Sequence, residues 1–79
     1  MSSLVLNSPS DIVAVEFTDH ALIVTLADAR RVEAPLAQYP RLLHATPAQR
    51  ARWRLIGGGS GIHWEDLDED LSLRSLRAP

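Results

Sequence analysis

Apolar and polar residues alternate from Ile12 to Phe17, with Val13, Val15 and Phe17 on one side and Glu16 on the other. Thr18-Asp19 then interrupts the run, and a second apolar stretch follows from Ala21 to Ala27. A side-chain period of two with a short polar break predicts a β-hairpin. Leu22, Val24 and Leu26 fall on one face of the second strand and Ile23 and Thr25 on the other, which predicts a central strand covered on both sides. Asp28-Ala29 separates it from a third short strand, Arg30–Ala34, with Val32 and Ala34 inward. A two-residue turn at that place calls for glycine where φ is positive. Because alanine costs about 1 kcal/mol in such a turn, the loop is expected to be longer than two residues.

The pattern changes at Pro35. Leu36, Tyr39, Leu42 and Leu43 recur at helical spacing, but Pro40 falls inside the run and removes a backbone donor, so two short turns are expected in place of one helix. Thr46-Pro47-Ala48-Gln49 carries a start signal, with threonine as N-cap, proline in the first helical position and glutamine to close a capping box. The predicted helix has about two turns and runs to Trp53. Leu55-Ile56 then reads as a strand, Gly57–Gly61 as a tight connection, Ile62-His63-Trp64 as the return strand and Leu71-Ser72-Leu73 as a last one. The expected architecture is α+β: a three-stranded antiparallel meander, a short broken helical segment, and C-terminal strands that complete the same sheet.

Composition narrows the class. The chain has 79 residues, enough for one domain that buries roughly 60% of its unfolded surface. Residues 1–10 read as a loose tail, 11–76 as a single domain and 77–79 as a C-terminal tail. No cysteine is present, so neither disulfides nor thiolate metal sites are available and nothing points to an oxidising compartment. The first ten residues lack the basic start and apolar core of a signal peptide, and no apolar run nears the roughly 20 residues of a membrane span. A cytoplasmic setting without membrane attachment is the expectation.

Net charge is −2, but it is unevenly placed. Arg30, Arg31, Arg41, Arg50, Arg52 and Arg54 face one acid, Glu33, over residues 30–54. Residues 65–70 hold Glu65, Asp66, Asp68, Glu69 and Asp70 and no base. A negative balance disfavours a dedicated nucleic-acid binder.

The runs Tyr39-Pro40-Arg41-Leu42-Leu43-His44-Ala45-Thr46-Pro47-Ala48-Gln49-Arg50, Trp53–Gly59 and Gly61–Asp70 resemble bacterial domain-of-unknown-function family 2442, with a likeness that extends from about Asp11 to Leu76. The resemblance implies a small α+β domain and no assigned reaction. Members of that family often lie beside genes for domain-of-unknown-function family 4160 in an arrangement that looks like a toxin-antitoxin pair, which implies an antitoxin-like role and a small partner protein encoded next door. This chain departs from the family pattern at Ala29 for turn glycine, Gln38 for an aromatic, Glu65 for proline, and Arg74-Ser75 for Glu-Gly.

Four stretches carry candidate chemistry. The glycine run lacks the lysine of a P-loop and the third glycine of a dinucleotide fingerprint, where Ile62 stands instead, so a hairpin connection is expected. Asp66, Asp68 and Asp70 match the first ligands of a calcium loop, but Leu71 and Arg77 occupy the positions that need glycine and glutamate. A solvated acidic surface is the stronger reading, and no metal or cofactor is expected. Arg50, Arg52 and Arg54 around Trp53 form the alternative, a nucleic-acid-binding patch, in which Arg50 and Arg54 share a face if the helix persists. His63, Trp64, Asp66, Asp68 and Asp70 form the principal candidate, a contact face for a basic protein, with Trp64 as core or rim. His20 and His44 are isolated and no serine has a nucleophile context, so no catalytic residue is assigned and a metal-dependent enzyme using His63 and the acids stands last.

Overall fold

A computed structural model of the chain describes residues 11–76. The terminal segments 1–10 and 77–79 lie outside the described residues. Strands β1 (Ile12–Phe17), β2 (Ala21–Leu26) and β3 (Arg31–Pro35) form an antiparallel meander in the order β1-β2-β3. Leu22, Val24 and Leu26 of β2 are buried, as the period-two pattern requires. The opposite face is half-covered, not closed, because Ile23 sits in register between Glu16 of β1 and Glu33 of β3, whose carboxylates stay in water.

One expectation for β1 is corrected. The register against β2 shifts between Ile12 and Ala14, a bulge that leaves Val13 without a partner and 51% exposed. The extra residue reverses the alternation before it, so Ile12, with Val15 and Phe17, points inward and is 1% exposed. Such a slip cannot be seen in the alternation alone.

The β2–β3 loop spans residues 27–30 and is longer than two residues. The Leu26 amide donates to the Arg30 carbonyl at 2.8 Å and the Ala29 amide to the Leu26 carbonyl at 2.9 Å. Ala29 nonetheless takes φ of 76°, a left-handed conformation that alanine adopts at a cost.

After β3 come a single 3-10 turn at Leu36–Gln38 and two one-turn helices, α1 (Pro40–Leu43) and α2 (Pro47–Arg50). Leu36 and Leu42 are fully buried and tie this irregular segment to the core. The capping box at α2 is complete: Thr46 Oγ1 accepts from the Gln49 amide at 3.1 Å, and Gln49 Oε1 accepts from the Thr46 amide at 2.9 Å. The predicted continuation to Trp53 is corrected, because α2 stops at Arg50 and Trp53 opens a strand. Cross-strand pairing of Trp53 with Trp64 offers that residue more burial than a second exposed helical turn.

The C-terminal strands β4 (Trp53–Ile56), β5 (Gly61–Trp64) and β6 (Glu69–Ser72) form a second three-stranded antiparallel sheet. They do not complete the first, and the last strand lies two residues earlier than the apolar Leu71-Leu73 suggested, followed by α3 (Leu73–Leu76). Six strands in one sheet would leave only these short helical turns to cover a long apolar face. Two sheets instead share one core, in which Leu22, Val24 and Leu26 join Ile62, Trp64 and Leu71. No helix among the described residues is long and apolar enough to cross a membrane.

Candidate functional site

The second sheet sorts the acid-rich stretch into two faces. Gly57, Gly58 and Gly59 all have positive φ, and their tight turn sets Ile56 opposite Gly61. That register places Trp53, Trp64 and Glu69 in one cross-strand row and Arg54, His63 and Asp70 in the next, on the opposite face. Trp64 is fully buried. Its indole N–H donates to the Arg50 carbonyl at 3.1 Å, and its ring meets Phe17 edge-on at 6.2 Å between centroids. Its assignment to a contact face is therefore corrected: Trp64 supports that face from within the core and offers nothing to a partner.

His63 is the centre of the polar row. Its Nδ1 engages Asp70 Oδ1, and its Nε2 lies 3.0 Å from Glu65 Oε1. A neutral imidazole has one N–H, so serving two carboxylates at once requires the imidazolium. The hydrogen bond to Asp70 and, next, that to Glu65 raise the His63 pKa above its ordinary value. The same contact with His63, supported by Arg54, lowers that of Glu65. Arg54 Nη2 reaches Glu65 Oε1 at 3.5 Å, so Arg54, Glu65, His63 and Asp70 form one chain of alternating sign.

The rest of the acid run is interleaved with arginine in the same way. Arg52 Nη1 lies 3.1 Å from Asp66 Oδ2, while Arg41 Nη1 donates to the Asp68 carbonyl at 2.6 Å and stands 3.9 Å from Glu69 Oε1. Basic and acidic stretches that are separate in sequence thus meet around the second sheet. The pairs on the outer face remain wet, with the Glu65 and Asp70 side chains 76% and 66% exposed, while Glu69 beside Trp64 is largely covered. Exposed pairs of this kind are screened by water and contribute little to stability.

The alternative arginine patch is dispersed. Arg50 belongs to α2, Arg52 to the connection and Arg54 to β4, so the i, i+4 helical face does not form. The Arg50 guanidinium donates to the Leu42 carbonyl at 2.9 Å and the Leu43 carbonyl at 3.0 Å and stacks 5.3 Å above the Phe17 ring. It clasps α1, α2 and β1 together. The aspartates of the calcium-like spacing also diverge, Asp66 to Arg52 and Asp70 to His63, with Asp68 at a left-handed turn. Among the described residues no group of three His, Asp or Glu side chains is placed to hold a metal ion.

A second feature has no signal in any local motif. Between the end of β1 and the α2–β4 segment runs an open groove of about 420 Å³, with Val15, Phe17, Pro47, Ala51 and Trp53 along it and Glu16, Asp19 and Arg50 at its rim. Its two sides are some thirty residues apart in the chain, which is why strand and helix patterns read separately do not reveal it.

A comparison with functionally curated proteins finds no match. Among solved structures, the solution structure of the uncharacterized protein CV0863 from Chromobacterium violaceum is similar, with a TM-score of 0.70 and 25% sequence identity. The match covers 84% of this chain and 62% of that one, so the chain spans less than two thirds of its neighbour's length. The model of the family described as protein of unknown function, DUF2442, matches residues 12–79. By that match over nearly its whole length, the chain belongs to the DUF2442 family.

Proposed function

We propose that this protein is a non-enzymatic protein-interaction module that receives a basic partner on the polar face of its second sheet. The contact residues are His63, Asp66, Asp68 and Asp70, with Glu65 beside them. One observation carries the reading: four of the five acids of residues 65–70, Glu65, Asp66, Asp68 and Asp70, stand exposed, with Asp66 and Glu65 balanced by ion pairs to the exposed side chains of Arg52 and Arg54. Such pairs cost little to exchange, so a partner's lysines or arginines can replace them while long-range charge steers the encounter. Membership of the family, together with the gene-pair arrangement its resemblance implies, supports an antitoxin-like component whose partner is the neighbouring small protein.

The test is the triple substitution Asp66→Asn, Asp68→Asn and Asp70→Asn, followed by salt-dependent co-purification with the neighbouring gene product. The fold is expected to persist with a melting temperature lower by no more than a few degrees, since the lost pairs are exposed. Partner capture is expected to fail. An unchanged complex, or an unfolded variant, refutes the assignment of this face.

A further inference from the structure

The groove beside β1 points to a second recognition surface, and we infer that it takes an extended peptide segment in which apolar and basic side chains alternate. The inference goes beyond the acid face and uses separate residues.

Three features meet there. The first is a strand edge that no described strand covers. β1 pairs with β2 on one side and, among the described residues, with no strand on the other. The bulge at Val13 disturbs the edge at its start, so the regular stretch open to a further strand is Ala14–Phe17, the same stretch that borders the groove. A strand added to such an edge gains main-chain hydrogen bonds without any particular sequence, and pockets beside the edge then choose its side chains.

The second is an apolar floor that the core leaves incompletely covered. Val15 and Phe17 point to the interior but remain partly exposed, as does Trp53 across the gap. The Phe17 ring is held by Trp64 at its edge and by the Arg50 guanidinium over its face, so the floor is preorganised. A space of about 420 Å³ lies within the range of pockets that hold a few apolar groups.

The third is charge. Glu16 and Asp19 stand exposed on the β1 side of the rim, and the cation opposite, Arg50, is committed to the Leu42 and Leu43 carbonyls. Glu16 is held by Arg31 in an exposed pair that a ligand cation can replace. Arg50 keeps its charge while bonded to neutral carbonyls, so the rim holds two acids against one base, a net negative charge that favours a basic segment. A second copy of this chain would bring an edge of like charge, since its own β1 carries Glu16.

The experiment is an amide-shift titration of the full chain, labelled with nitrogen-15, against a short peptide of alternating leucine and lysine and against its counterpart with glutamate for lysine. With the basic peptide, saturable shifts are expected at residues 14–19 and 47–53, and the acidic peptide is expected to leave them unmoved. Ala51→Arg, an exposed change that fills the groove with a cation, is expected to weaken the basic peptide at least about tenfold, and Asp19→Lys to weaken it in the same direction. Equal response to both peptides, no saturable shift at all, or shifts of the same amides on raising the chain's own concentration would each overturn the inference. Shifts confined to residues 63–70 would overturn it too while leaving the acid-face proposal standing. Loss of the neighbouring protein on the triple aspartate change is read independently of this titration.

Discussion

The left-handed alanine of the β2–β3 loop offers a clean measurement, because nothing except backbone conformation is at stake there. Ala29 is exposed and holds φ at 76°. For an L-residue with a Cβ that conformation costs about 1–2 kcal/mol, and glycine escapes it. Glycine returns roughly 0.5–1 kcal/mol of that gain through its larger unfolded-state entropy. Ala29→Gly is thus expected to stabilise the fold by about 0.5 kcal/mol. For a domain of this size that is a rise in melting temperature of about 2–4 °C. Gly58 supplies the reverse case, with φ of 67° and no atom within 4 Å of where a Cβ would lie. Gly58→Ala is expected to lower the melting temperature by a similar amount. Both variants are measured by thermal circular dichroism and by urea unfolding, where the midpoint moves and the slope does not. A neutral or destabilising Ala29→Gly, beside a destabilising Gly58→Ala, would show that the loop does not hold Ala29 in the left-handed region.

Other expectations follow from single contacts. Thr46→Ala removes the acceptor of the Gln49 amide and is expected to cost about 1 kcal/mol, seen as a fall of several degrees in melting temperature. Trp64→Phe deletes the indole N–H that serves the Arg50 carbonyl and leaves part of a fully buried site empty. It is expected to cost about 2 kcal/mol in urea unfolding, and a loss near zero would contradict the burial. Because the folded His63 pKa is raised above 6.5, its stabilising charge is fully present below that pH and is lost as pH rises through the folded value. The lowered pKa of Glu65 has the opposite sense: its share is present above 4.5 and is lost as pH falls through the folded value. Melting temperature is therefore expected to decline as pH rises above 6.5, and His63→Gln to flatten that decline; a parent profile already flat above 6.5 would contradict the contacts of His63 with Asp70 and Glu65.

The sequence by itself determined the local elements whose causes are local. Alternation over Ala21–Leu26 marks β2, Pro40 divides the helical segment, and Thr46 with Gln49 closes the capping box, each within a few residues of its cause. Most of the acid run was equally plain as a surface, since five neighbouring carboxylates cannot all leave water, but that Glu69 alone turns toward the Trp64 row was not. Only the tertiary structure decided what these elements meet. The bulge that turns Ile12 inward and Val13 out depends on pairing with β2, and the end of α2 depends on Trp53 finding Trp64 across a sheet. Arg52 and Arg54 lie eleven to fourteen residues from Asp66 and Glu65, and the glycine turn folds them onto one face as ion pairs. His63 finds its carboxylate partners in the same way, Asp70 on the next strand and Glu65 just past its own. The separation of six strands into two sheets follows from the whole apolar surface that 66 described residues must hide, a sum that no single stretch of the chain contains.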